Sequence, residues 1–109
     1  MEICFGKKGE WTTVTVHGRI DTISAPDFEK SLGEQMMQGC TRFLINLGKC
    51  DYISSAGLRC ILTSGKNAKA RGGELACCGL SGMVKQVFDI SGFGSLLRVF
   101  DSPDDAVQE

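Results

Sequence analysis

Proline and histidine are scarce in this 109-residue chain, with Pro26, Pro103 and the single His17. So few prolines beside 14 glycines point to tight connections rather than linkers. A lone histidine on an alternating segment reads as structural or exposed, because a catalytic base needs an oriented partner. Neither charge dominates: 12 basic against 13 acidic residues leave a net charge of −1. That balance lacks the basic footprint of a nucleic-acid binder. No window approaches 18 uninterrupted apolar residues, so no membrane insertion is expected. Met1-Glu2-Ile3-Cys4-Phe5-Gly6 has no basic start leading into an apolar run. No secretory signal is therefore expected, and a cytoplasmic location follows by default. No G-x-x-x-x-G-K-[ST] and no G-x-S-x-G occurs. Gly79-Leu80-Ser81-Gly82 and Gly92-Phe93-Gly94 are too short for a dinucleotide fingerprint and read as turns. No catalytic residue and no cofactor is expected, and an enzyme is the least favoured class.

Cysteine is present at positions 4, 40, 50, 60, 77 and 78. No pair has C-x-x-C spacing, so no metal site is expected. The cysteines read as small, mostly buried apolar residues of a reducing compartment. On a strand, Cys77 and Cys78 would face opposite ways.

The hydrophobic content is 42%, enough for a real core. One domain over residues 1–109 is expected, burying about two-thirds of its unfolded surface. Ile3 to Phe5 reads as a strand, Lys8-Gly9-Glu10 as a turn, and Trp11 to His17 as a second strand ended by Gly18. Asp21 to Asp27 reads as a loop, with Ser24 as helix N-cap and Pro26 in the first turn. Phe28, Leu32 and Met36 form a helical stripe, ended by Gly39. Arg42 to Leu47 suits a buried strand. Asp51 to Gly57 reads as a loop. Leu58, Ile61, Leu62, Gly65 and Ala68 then share one face of a second helix, with Arg59, Thr63, Lys66 and Asn67 on the other. Arg71-Gly72-Gly73 closes that helix. Glu74 to Cys78 is a strand. A third helix starts near Leu80-Ser81-Gly82 with Val84, Val87 and Phe88 inward. Leu97 to Phe100 is a last strand, and Pro103 opens a short terminal helix. Strands alternating with helices predict an α/β fold with a mixed, partly parallel sheet.

Ser54-Ser55-Ala56-Gly57-Leu58 stands where a loop becomes a helix. Capping accounts for one of its serines. With Ser54 as cap, Ser55 lies in the first turn, where free N–H groups and the helix dipole accept an anion. Arg59, four residues on, is within reach of a phosphate there. Gly18-Arg19-Ile20-Asp21-Thr22 is a second polar loop. It lies close to the first if the strand of Val14 to His17 neighbours that of Phe43 to Leu47.

Tyr52-Ile53-Ser54-Ser55-Ala56-Gly57-Leu58-Arg59 resembles the signature of the STAS domain, the sulfate-transporter and anti-sigma-factor-antagonist module. Gly18-Arg19-Ile20-Asp21 resembles its Gly-x-hydrophobic-Asp loop. Ala70-Arg71-Gly72-Gly73, Cys78-Gly79-Leu80-Ser81 and Val99-Phe100-Asp101-Ser102 resemble its later landmarks, in order along nearly the whole chain. The short length is similar to the bacterial anti-sigma factor antagonists. The resemblance implies a STAS fold, a four- to five-stranded mixed sheet with helices mainly on one face. It also implies a partner switch in transcription regulation. The antagonist binds a serine-kinase anti-sigma factor, is released when that kinase phosphorylates it, and is restored by a PP2C-type phosphatase. The family's phosphorylated serine falls on Ser55, and its loop aspartate on Asp21. Ser54 stands where many members have Asp, Ala56 where they have Ser or Thr, and Asn46-Leu47 where they have Asp-Leu. Ser54 is thus a rival acceptor. Asp21, Thr22, Ser54, Ser55, Arg59, Thr63 and Lys66 are the expected partner-binding residues. The alternative is a non-phosphorylated structural STAS subunit of a transporter or sensory complex.

Overall fold

Five strands and four helices alternate along the chain in the computed structural model, which describes residues 1–92 and 97–107. They are β1 (Glu2–Lys8), β2 (Trp11–Ile20), α1 (Ala25–Met37), β3 (Arg42–Ile53), α2 (Ser55–Ala70), β4 (Glu74–Cys78), α3 (Gly82–Ser91), β5 (Arg98–Phe100) and α4 (Pro103–Val107). The turn reading of Phe93-Gly94 lies outside the described residues.

The strands form one sheet in the order β1-β2-β3-β4-β5. β1 pairs antiparallel with β2, and every other neighbour pair is parallel. Sequential parallel strands joined by crossovers of one hand put their helices on one face. Accordingly, α1, α2 and α3 share one core, with Phe28, Leu32, Leu58, Ile61, Val84 and Phe88 packed on Val14, Val16, Phe43, Ile45 and Cys77. This is the mixed sheet that the alternation of strands and helices predicts, with the helices mainly on one face as the STAS resemblance implies.

Alternation sends the intervening strand residues to the other face. There Trp11, Leu44, Ala76 and Cys78 meet Ala106 of α4. Cys77 and Cys78 thus lie on opposite faces and are both fully buried. Burial pushes their thiols well above the ordinary value, Cys78 to about 11. The short α4 is held by named contacts. The Trp11 indole N–H donates to the Ala106 carbonyl at 3.3 Å, and Lys8 pairs with Asp104 at 2.7 Å. The ring of Phe100 meets Trp11 edge-on at 6.3 Å.

Three expected strand ends move. β1 runs past Phe5 to Lys8. β2 continues past Gly18 to Ile20, and β3 continues past Leu47 to Ile53. The β2–β3 register slips between Thr15 and His17 and again between Gly18 and Arg19. Each slip places one extra residue on β3, since Thr15 and His17 oppose Asn46 and Lys49 while Gly18 and Arg19 oppose Cys50 and Tyr52. The Asn46 carboxamide oxygen accepts from the Gly48 N–H at 3.0 Å at the first slip. Gly18 does not end its strand; it stands at the second slip with φ +96°, a backbone conformation that glycine adopts freely.

Trp11 is the chain's one tryptophan and is 2% exposed. Removing residues 103–109 is expected to shift its fluorescence to longer wavelength, because Ala106 covers the ring. Unchanged emission would show that α4 is not its cover.

Candidate functional site

The second slip carries β2 and β3 on together to adjoining ends. Ile20 pairs with Ile53, and the Ser54 N–H donates to the Ile20 carbonyl at 2.8 Å. The loops after β2 and β3 therefore meet at the carboxyl ends of parallel strands, where α/β sheets place their sites.

Ser54 is the N-cap of α2. Its backbone is extended (φ −88°, ψ 170°) and its Oγ accepts from the Gly57 N–H at 3.1 Å. Ser55 is the first helical residue and is exposed. The first turn of α2 carries no acidic residue. Gly57 makes this packing possible. A Cβ there would sit 2.7 Å from Ile20 Cγ2 and 3.0 Å from the Ile20 carbonyl oxygen. Only hydrogen lets the helix seat so close to the strand ends.

The facing loop is organised by Asp21. Its Oδ1 accepts from the Ile23 N–H at 3.1 Å and the Ser24 N–H at 2.9 Å. Ser24 Oγ accepts from the Asp21 N–H at 2.9 Å, with Asp21 Oδ1 and the Arg19 carbonyl each 3.1 Å away to receive its proton. Ser24 therefore does not cap α1 with its side chain, as the sequence suggests. Its hydroxyl is committed to the loop behind it, a competition open to short polar side chains. Hydrogen bonds from the Ser24 backbone and then its hydroxyl hold the Asp21 carboxyl below the usual value. Arg19 lies over the Tyr52 ring at 4.5 Å, with its Nε 4.0 Å from Asp21 Oδ2.

The expected partner residues thus divide. Asp21, Thr22, Ser54 and Ser55 come together at the joined loops. Arg59, Thr63 and Lys66 run down α2 from Ser55. At 1.5 Å per residue Lys66 lies about 16 Å along the axis from Ser55. There it lines a separate cleft of about 410 Å³ with Leu62, Gly65, Leu75 and Leu97. Sequence reasoning missed Ile23, 87% exposed in the Asp21 loop, and the Arg19–Tyr52 stack. An isoleucine inside a polar loop is a visible signal for the first. The stack depends on a strand register that composition does not show.

A family model for the STAS domain matches residues 6–106. The chain belongs to the STAS domain family. BtrV of Bordetella bronchiseptica, named as an anti-sigma factor antagonist, is 36% identical over 106 residues, covering 97% of this chain and 91% of its own. Among solved structures, an anti-sigma factor antagonist from Thermotoga maritima superposes with a TM-score of 0.91 at 16% identity, covering 97% of this chain and 92% of that one. The Bacillus cell fate determinant SpoIIAA in its phosphorylated form superposes with a TM-score of 0.74 at 17% identity, covering 98% and 97%. The likeness of these two structures concerns the STAS fold. Relatives from Paenibacillus polymyxa and Staphylococcus aureus, 25% and 28% identical, are likewise named as antagonists of an anti-sigma F and an anti-sigma-B factor.

Two outcomes follow from this geometry. Gly57→Ala is expected to destabilise by about 1–3 kcal/mol through overpacking. Gly33→Ala in α1, where a Cβ meets nothing within 4 Å, is expected to stabilise by up to about 1 kcal/mol. Denaturant midpoints read both, and equal shifts would refute the close approach. The Asp21 carboxyl carbon is expected to titrate by NMR below 3.8, and in Ser24→Ala closer to it. Because the folded value is lowered, the stability it carries is present above the unfolded value and lost as pH falls through the folded one.

Proposed function

We propose that this chain is an anti-sigma factor antagonist working by partner switching. It binds a serine-kinase anti-sigma factor through the joined loops and is released when Ser55 is phosphorylated. A PP2C-type phosphatase then restores it. The observation that carries this reading is the difference between the two serines. Ser55 is exposed on the first helical turn, whereas Ser54 spends its oxygen on the Gly57 N–H. A phosphoryl group on Ser54 would disrupt a cap of the kind worth about 1 kcal/mol. On Ser55 it would meet the positive end of α2 and leave the cap in place.

Release follows from charge. The Asp21 carboxyl, held below its usual pKa, is ionised at neutral pH. A phosphate carries nearly two negative charges. Placed across the Ile20–Ser54 junction from Asp21, it adds like charge to a surface already fitted to its partner. Repulsion and desolvation then weaken the complex without unfolding the domain. The names of the relatives and the existence of a phosphorylated neighbour of the same fold support this reading.

Phosphopeptide mapping from the native cell, grown with and without stress, tests it. Trypsin is expected to release Cys50 to Arg59 with phosphate on Ser55 that varies with condition. Ser55→Asp is expected to bind the kinase at least tenfold more weakly than wild type. Phosphate on Ser54 instead would move the site. Phosphate on neither, with an ATPase co-purifying, would replace the switch by a structural STAS subunit.

A further inference from the structure

Ile23 is 87% exposed, an apolar side chain at the tip of an otherwise polar loop. Scattered surface apolar residues are ordinary. Ile23 differs in how it is held and where it stands. Its N–H donates to Asp21 Oδ1, and the next N–H, of Ser24, donates to the same oxygen. Ser24 Oγ ties the loop back to the Asp21 N–H and sits 3.1 Å from the Arg19 carbonyl. Three of the loop's backbone donors, the N–H groups of Asp21, Ile23 and Ser24, are thus paired inside it. Covering it leaves these N–H groups paired and orders little that is not already ordered. It also stands beside the start of α2, since the β2 end just before it is joined to Ser54.

From this placement we infer that Ile23 is the apolar anchor of the complex and a specificity-determining residue for it. The occupant is the serine-kinase anti-sigma factor of the partner-switch reading, on which the inference rests. That kinase presents an apolar pocket to Ile23 beside the groups that reach Ser55. The division of labour is chemical. Ile23 supplies area removed from water, and the charged rim of Arg19, Asp21 and Arg59 supplies orientation and the response to phosphate. Asp21 and Ser24 are positioning residues that hold Ile23 forward.

The test uses the whole chain and the serine-kinase anti-sigma factors of its cell, purified singly. Each is titrated against wild type, Ile23→Ala, Ile23→Asp and Met37→Ala. Met37 is the control, 81% exposed and a helix length away, about 18 Å at 1.5 Å per residue. For a kinase that binds wild type, Ile23→Ala is expected to weaken binding at least tenfold, mainly through faster dissociation. Ile23→Asp is expected to weaken it further, and Met37→Ala to leave it unchanged. Thermal midpoints of all variants are expected to match wild type, because Ile23 supports no core. An Ile23→Ala affinity within twofold of wild type would overturn the anchor and leave the partner switch standing. Equal losses in Ile23→Ala and Met37→Ala would overturn it too. Failure of every such kinase to bind wild type would overturn the partner-switch reading and the anchor with it.

Discussion

One backbone hydrogen bond, from the Ser54 N–H to the Ile20 carbonyl, joins the two halves of the candidate site. It extends the β2–β3 ladder to the point where both chains leave the sheet. It completes a junction that the Ile20–Ile53 pairing and the Arg19–Tyr52 stack bring to this point. With it, the Ile20 carbonyl is a partner to one loop and a wall against the other. That wall is why Gly57 has no side chain: a Cβ would collide with Ile20 and Ile53. The constraint runs from a register to a glycine to the seat of a helix, and the exposed hydroxyl of Ser55 follows from that seat.

The ladder reaches this point because β3 carries two extra residues. A regular strand directs every second side chain inward. In β3 the inward positions are Phe43, Ile45 and Leu47, then Cys50, then Ile53. Each three-residue step absorbs one slip in the pairing with β2. Slips of this kind bend and twist a strand, and they concentrate next to functional sites. The opposite end of the sheet is built from charge. Glu10 pairs with Arg42, and Glu74 with both Arg42 and Arg98, while Arg42 stacks on Trp11 and Arg98 on Phe100. Such exposed pairs contribute little individually. Their effect is to tie β3, β4 and β5 together where the strands begin, away from the joined loops.

Much of this architecture is legible in the sequence. The helical stripe Phe28, Leu32, Met36 and the alternation Val14, Val16 place α1 and β2 correctly, because each repeats with its own period. A serine cap for α2 is equally legible, since two serines stand where the helical pattern begins; the hydrogen bond to Gly57 assigns it to Ser54. The second half of β3 is not. Its inward residues Leu47, Cys50 and Ile53 repeat in threes, which fits neither strand nor helix, so the stretch reads as loop. Ser24 misleads for a related reason. Its place before Ala25-Pro26-Asp27 is that of a cap, but a nearer acceptor and donor in the Asp21 loop take its hydroxyl. Local spacing cannot rank those two uses; the course of β2 as far as Ile20 does.

The substitution pattern around Ser55 gains meaning from the geometry. A carboxylate at position 54 would cap α2 as well as serine does, since both accept a backbone N–H. It would also place a fixed charge beside the acceptor hydroxyl. With Ser54 there, the first turn of α2 is free of acid and the positive end of the helix is uncompensated. Across the Ile20–Ser54 junction the unmodified surface presents the Asp21 carboxylate, while phosphate on Ser55 would introduce the first negative charge on a helix whose charged side chains are all basic. The change in local charge on modification is therefore set against a less acidic starting state.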